Sequence, residues 1–537
     1  MATIPSISLI PSGYKAGKVY SVLPTDGSGD LTFARASTAT RINKNNLIEN
    51  VGNNVPRLDY EDGSCPSLLL EPSSTNLITQ SESFGNSYWT KSGATIEGDA
   101  STAGTEKVTN GNFSSDTDWT KVGSNSTISS GVCTIIGNVN ADGYYQAVTH
   151  TIGSMYVLTF DINSTDSTGT NFSAKTGDGL ETSYTTIGTK TLYYTASGAY
   201  ENIRFLGDNN STTIIDNVSV KEVSGFSAPS IDSPLGAFKL VEDTSVAANH
   251  RIDSQNLSVV ASGSITISVI LKYDGSREWV KVRDFATNAY VFFNLLDNSI
   301  GNTNLVNASQ KIVDLGNDFK RVSFTYSSTL TNAQVRIYLA DSGTSDGYTG
   351  DGTSGIYIFG AQLEQKSYAT SYIPTKGSQI SRLSETASQT VPDGIINSSE
   401  GVFYAEIENK FPNTTTRGWN LQSSLNNGSD LIAIRFNTSQ SIIFYLRANG
   451  VTTINQSIVN SYSGFIKIAF KYKSGDSSLW INGVEVSSSA TTFSFSNPLS
   501  ILGNNDGLGG VGYFGLKDSR VFNTALTDSE LVKLTTI

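Results

Sequence analysis

Two histidines, His150 and His250, supply all the imidazole in the chain. A zinc site or a histidine-based triad would have to use one of them, and neither sits in a known motif. An enzyme that cleaves glycans needs two carboxylates facing each other across a cleft, about 5–10 Å apart. The Asp and Glu residues here fall mostly in turns. Asp341, Asp346 and Asp351 share one Gly-rich loop, where solvated turns are the default and calcium is the sharper alternative, although the spacing is not that of an EF-hand. Aromatic rings are the natural platforms for the apolar face of a sugar. Tyr144 and Tyr145 are adjacent, so one of them should face out of a sheet. Trp279 lies in the alternating run Glu278 to Val282, and Trp419 follows Arg417 and Gly418 in a polar segment. These four are the candidate carbohydrate contacts. Core burial is the commoner fate of any single ring, and Trp89, Trp119 and Trp480 are expected to follow it.

The elements that must position these residues are strands. Ile466, Ile468, Phe470 and Tyr472 alternate with Lys467, Ala469, Lys471 and Lys473. The runs 265–272 and 321–326 repeat the pattern. Such period-2 alternation predicts antiparallel sheets with one buried face. Turns such as Asn482-Gly483 punctuate the runs. The one predicted helix is short, near Thr527 to Lys533, with Thr527 and Glu530 spaced as a capping box. A divergent repeat organises the first two thirds. Residues 84–91 read FGNSYWTK and 113–121 read FSSDTDWTK; Asn202-Ile203-Arg204-Phe205-Leu206 corresponds to Gln334-Val335-Arg336-Ile337-Tyr338. The first Phe–Trp opening has no body directly after it. That order implies one sandwich, 105–225, inserted into another made of 77–104 and 226–375, with junctions near Gly98 to Gly104 and Ser224-Gly225. An irregular segment, 1–76, precedes them. A polar linker, 376–398, leads to a last sandwich, 399–537. The predicted fold class is all-β, with several antiparallel jelly-roll sandwiches in series.

Composition narrows the function classes. The chain has 537 residues, too many for one core. It carries 48 acidic against 36 basic residues, a net charge of −12, with no dense basic run, so nucleic acid is not an expected partner. No apolar stretch approaches a membrane span, and no basic n-region with an apolar core opens the chain, so neither insertion nor export is expected. Cys65 and Cys133 are expected to be reduced. No P-loop, dinucleotide motif or nucleophile elbow is present.

The segment 30–77, DLTFARASTATRINKNNLIENVGNNVPRLDYEDGSCPSLLLEPSSTNL, resembles a motif near the start of tail-fibre-like virion proteins of tailed phages. Such proteins usually have Gly before Leu-Ile-Glu; here Asn46 takes that place, the next-best residue for a left-handed backbone position. The segment 351–375 is similar to the end of a galactose-binding-like or carbohydrate-binding module that commonly follows. Leu479-Trp480-Ile481-Asn482-Gly483 and Arg520-Val521-Phe522-Asn523 resemble concanavalin A-like, laminin-G-type sandwiches. The inserted copy resembles sugar-binding modules in which a closing-strand Asp and an opening Asn-Gly turn hold a structural calcium; Asp216, Asn110 and Gly111 occupy those positions. The resemblance implies a non-enzymatic virion protein, a tail fibre or receptor-binding adhesin for host-surface glycans, assembled in the host cytoplasm. A head fibre, decoration or other structural virion protein is the first alternative. The accessory region of a cellular polysaccharide-degrading enzyme is the second. It also implies a homotrimer, with 1–76 docking on partner subunits or other virion proteins and 399–537 pointing outward. A chain lacking 1–76 is expected to stay folded.

Overall fold

The computed structural model describes residues 3–537, except 62, 64, 139–140, 177–180, 234, 306–309, 411–415, 424–427, 437–440, 459–461, 463 and 505–511. Among the described residues the chain forms three pairs of large antiparallel sheets, four two-stranded sheets and one short α-helix, Asp528–Thr535. Thr527 caps that helix, and its N–H donates to Glu530 Oε2 at 2.9 Å.

The first pair is built from both sides of an interruption. One sheet runs Thr90–Ser92, Arg251–Asp253, Val335–Ala340, Trp279–Asp284, Tyr290–Asn294, Ile300–Thr303. The other runs Ala94–Glu97, Phe238–Glu242, Gly355–Glu364, Gly263–Tyr273, Lys320–Ser328, Gln310–Asp314. The second pair lies within the interruption. Its sheets run Thr120–Val122, Asp142–Thr149, Tyr200–Gly207, Phe172–Lys175, Glu181–Ser183 and Thr127–Ser129, Val132–Ile136, Thr212–Glu222, Met155–Thr165, Gly188–Thr195. The first five strands of each host sheet correspond in order to the five of an inserted sheet, and each host sheet adds a sixth at its edge. The repeated Trp is used the same way in each. Trp89 Nε1 donates to Gln80 O at 2.8 Å and Trp119 Nε1 to Asn110 O at 3.0 Å, while Phe84 and Phe113 lie 5.0 and 5.3 Å from their respective indoles. The chain leaves and re-enters at neighbouring points, with Asp99 N donating to Ser224 O and Gly104 N to Glu222 O, both at 2.7 Å. The seam is packed. Met155, Val157 and Val223 of the inserted sandwich belong to the host's apolar cluster.

The third pair departs from the expected boundaries. One sheet joins Val484–Ser489, Ser477–Ile481, Ile466–Lys473, Glu400–Asn409 and Phe514–Phe522 to Ser67–Leu70, Arg57–Asp59 and Ile7–Leu9. The facing sheet joins Tyr14–Lys15, Lys18–Val19 and Leu31–Ala34, through Thr386–Thr390, to Ile501–Gly503, Thr416–Gln422, Leu431–Phe436, Ile442–Ala448 and Val451–Ile458. Ile7, Leu9, Val19, Leu31, Leu68 and Leu70 are fully buried in the core of this sandwich. The N-terminal segment is therefore not an irregular arm: Ile7–Leu9, Leu31–Ala34, Arg57–Asp59 and Ser67–Leu70 are strands of the C-terminal sandwich, and the hairpin of Ala39–Ile42 and Ile48–Val51 packs on the host sandwich. Residues 376–398 are not a free linker, since Ile380–Arg382 pairs with Ser74–Asn76 and Thr386–Thr390 bridges the two ends of the chain. Against the expectation that the chain stays folded without 1–76, removing that segment should unfold the C-terminal sandwich. The physical reason is that these strands are two to four residues long and complete sheets whose other strands lie hundreds of residues away.

A buried ion-pair lattice locks this arrangement. Arg35, Arg57, Glu71 and Glu385 have fully buried side chains and Arg382 nearly so. Glu385 accepts from Arg35 Nη1 at 2.6 Å, from Arg57 Nε at 2.8 Å, from Arg57 Nη2 and from the Glu71 backbone N–H at 3.0 Å. Glu71 pairs with Arg57 and Arg382, each at 2.7 Å, and accepts from Ser371 N and Oγ of the host sandwich. Arg35 spends its remaining protons on the carbonyls of Ser37, Val51, Gly52 and Val55. Burial works against the Glu71 carboxylate, but Arg382, Arg57 and Ser371 hold its pKa down at about 2, against an ordinary value of 4.5. Removing one partner from such a lattice leaves buried charge uncompensated. Glu385→Ala should destabilise the C-terminal sandwich by about 3–5 kcal/mol, read as a lowered urea midpoint; an unchanged midpoint would contradict this role. Because the folded pKa of Glu71 lies below its unfolded value, its contribution is complete above pH 4.5 and is lost as pH falls through about 2. Glu71→Gln should flatten the acid side of the stability profile in that window.

Candidate glycan-binding face

Strand register places a ladder of rings and cations on the outer face of the host sandwich. Along Trp279–Asp284, Val280 and Val282 turn inward and are 0–1 % exposed, so Trp279, Lys281 and Arg283 turn outward. Lys281 lies opposite Phe292 on one side and Tyr338 on the other. Arg283 lies opposite Tyr290 and Arg336, and Trp279 opposite Asn294 and Ala340. The next strand adds Arg251 opposite Tyr338 and Asp253 opposite Arg336.

The middle of the ladder is closed. Lys281 Nζ sits 4.6, 5.3 and 5.2 Å from the ring centroids of Tyr290, Phe292 and Tyr338 and 3.2 Å from Asp346. Asp346 also receives Asn249 Nδ2, which ties the 341–346 loop down over the sheet. Trp279 anchors the same loop. Gly301 and Gly343 lie against its ring so closely that a Cβ on either would stand 2.8–2.9 Å from an indole carbon. The open part is the end near residue 285. There Phe285 is 46 % exposed, Tyr290 is half-buried, and Arg336 lies 3.5 Å and Arg283 5.3 Å from the Phe285 ring centroid. The two carboxylates of the face are both engaged. Asp253 is held by Arg251 at 3.1 Å and Arg336 at 3.3 Å, and Asp346 by Lys281. This arrangement can stack a sugar ring and donate charge-assisted hydrogen bonds to it.

The structure separates the four candidate aromatics. Trp279 and Tyr145 lie on outer sheet faces, half-buried, with Arg204 5.6 Å over the Tyr145 ring. Tyr144 is 3 % exposed and points into the inserted core. Trp419 is fully buried, donates from Nε1 to Ser519 Oγ at 2.7 Å and packs near Phe514. Neither Tyr144 nor Trp419 can serve as a platform. The polar neighbours of Trp419 concealed a strand from the middle of a sheet. Phe285, Tyr290 and the paired arginines were not singled out from sequence; the alternation of 279–283 with 290–294 was the available signal.

Asn110 and Gly111 meet the closing strand, but their oxygens are committed. Asn110 O accepts from Trp119 Nε1, Asn110 Oδ1 from Ser114 and Ser115, and Gly111 O from Val218 N. Asp216 Oδ1 accepts from Asn217 N, and among the described residues no three or more His, Cys, Asp or Glu side chains gather. Calcium takes six to eight converging oxygens, and those of Asn110, Gly111 and Asp216 are drawn here into hydrogen bonds within the protein. In the acidic loop Asp351 accepts from Thr353 and Ser354, and these bonds lower its pKa. The histidines are packed as core groups, His150 against Tyr156 and Tyr194 and His250 against Tyr348. Both cysteines are free.

A second cleft of about 160 Å³ lies where the host and C-terminal sandwiches meet, lined by Tyr368, Tyr372, Tyr513, Arg321, Asp59 and Glu61. Burial and the Glu61 charge raise Asp59 to about 6; burial opposes, but Lys410 and Lys311 prevail in lowering Glu61. Its charges answer one another, with Lys311 and Lys410 each 3.5 Å from Glu61.

No family model matches the chain, and no curated protein is similar to it in sequence. Among solved structures, the CBM40 of the Ruminococcus gnavus IT-sialidase aligns at 12% identity over 26% of this chain and 84% of that one, with a TM-score of 0.23. Botulinum neurotoxin type C, whose cell entry depends on interaction with two ganglioside molecules, aligns at 15% identity over 28% of this chain and 39% of that one, with a TM-score of 0.23. Domain 4 of AbnA, an extracellular arabinanase from Geobacillus stearothermophilus solved with arabinotriose, aligns at 15% identity over 32% and 82%, with a TM-score of 0.24. TM-scores this low do not identify a shared fold or ligand, so no property of these proteins is transferred to this chain. On the geometry, a chelator should leave the melting transition of the inserted sandwich unchanged; a fall in its midpoint that added calcium restores would show a site built from Asp216.

Proposed function

We propose that this chain is a non-enzymatic adhesin of a phage particle, a tail fibre or receptor-binding protein, which contacts host-surface glycans through the outer face of its host sandwich. The observation that carries the reading is the open end of the ladder, where Phe285 and Tyr290 stand beside guanidinium groups. Both carboxylates of the face are tied to cations, which supports binding over acid–base chemistry. The virion context rests on the resemblance of 30–77 and 351–375 to phage proteins. A homotrimer accords with it, because single sugar sites are weak and several copies on one particle raise avidity. Since the strands of 1–76 lie mostly in the C-terminal sandwich, attachment to the particle would use the outer surface of that sandwich.

The test is binding of the full chain to immobilised bacterial surface polysaccharides. Phe285→Ala and Tyr290→Ala should each weaken binding at least about fivefold without lowering the melting temperature. Trp279→Ala should cost both binding and stability, because its ring anchors the 341–346 loop. A Phe285→Ala, Tyr290→Ala double variant that binds like the unaltered chain would refute the assignment of this face. Light scattering should give about three times the 57.3 kDa chain mass.

A further inference from the structure

Resting on the reading of this face as a glycan site, we infer that its ligand is an anionic glycan, whose acid group is held between Arg283 and Arg336.

The two arginines are direct cross-strand neighbours, a placement that costs energy for like charges unless something compensates. The protein compensates only one side. Arg336 has Asp253 at 3.3 Å and donates from Nε and Nη2 to Gln334 Oε1 at 3.1 and 3.0 Å. Among the described residues Arg283 pairs with no carboxylate, and its buried Nε has no acceptor. The nearest carboxylate in sequence does not help. Asp284 turns inward, fully buried, and accepts from the backbone N–H groups of Ala286, Thr287 and Gln334. Phe285 holds the pair in place, since both guanidiniums lie over its exposed ring. The face as a whole carries four cations, Arg251, Lys281, Arg283 and Arg336, against two carboxylates, in a chain whose net charge is −12. Selection for solubility alone would not gather cations here. An oxyanion between the two forks would accept hydrogen bonds from their terminal Nη groups and relieve their repulsion. Tyr290, opposite Arg283 in register, would then flank the sugar ring that bears the acid.

A carboxylate, a sulfate and a phosphate all satisfy this chemistry. The experiment takes acidic bacterial surface polysaccharides with their carboxyl-reduced, desulfated and dephosphorylated forms, and measures binding of the full chain by biolayer interferometry at several salt concentrations. Removing the acid group that serves should weaken binding at least tenfold, and the arm that does so names it. Arg283→Gln combined with Arg336→Gln should weaken binding of the native polymer by a similar factor and flatten its salt dependence. Arg283→Lys should recover part of the loss. Melting temperatures of the variants establish that they are folded. Equal binding of native and neutralised polymers, or an unaffected arginine double variant, would overturn the inference while leaving the glycan face standing. Absence of binding by every polymer, acidic or neutral, would overturn both.

Discussion

Three guanidiniums and two carboxylates, sealed from solvent, determine how the rest of this chain can be arranged. Arg35, Arg57 and Glu71 come from the first 71 residues, and Arg382 and Glu385 from the segment after the host sandwich. Each charge alone would be costly to bury, and together they are affordable only if every fork and lone pair is met. One geometry comes close to meeting that condition, with only the buried Arg382 Nε lacking an acceptor among the described residues. Glu385 must receive Arg35 and Arg57 together, and Glu71 must reach Ser371 at the end of the host sandwich. The lattice therefore fixes the register of the short N-terminal strands in the C-terminal sandwich, and it fixes the C-terminal sandwich against its neighbour. Asn76 extends the same logic, donating to the carbonyls of Ala361 and Ile373 and accepting from Ile78 and Leu363.

The segment that most resembles phage virion proteins is thus scaffold. Its arginines, its glutamate and Asn46, which sits at a φ of 59°, do structural work in the join between sandwiches. Ile48 shows the same economy: it packs with Ile270, Phe359 and Tyr372 on the outside of a host sheet that would otherwise be wet. That contact helps bury Ile270 on the outward side of Gly263–Tyr273, where Arg321 likewise covers Ser268.

Local signals in the sequence were readable because they depend on nearest neighbours. Alternation marked the strands, Thr527 and Glu530 marked the helix start, and the Phe–Trp repeat marked two sandwiches whose strand orders correspond. What stayed hidden depends on pairing over long distances. Ile7–Leu9 pairs with Val521 to Ser519, and nothing near residue 7 announces it. The lattice was equally silent, since Arg35 and Glu385 are separated by 350 positions. The site was half legible. Trp279 was visible as an aromatic in an alternating run, but the arginine pair exists only once Trp279–Asp284 is set against Val335–Ala340. Trp419 misled because a polar neighbourhood in sequence says nothing of what the opposite sheet supplies.

The scaffold and the proposed contact face are separate regions of one chain, and hydrogen–deuterium exchange tests that face directly. The full chain would be compared with and without a bound acidic surface polysaccharide. The account predicts added protection confined to 279–294 and 334–340, with the motif segment 30–77 and the C-terminal sandwich unchanged. Protection centred on 30–77 or on 399–537, with none on the host-sandwich face, would contradict it.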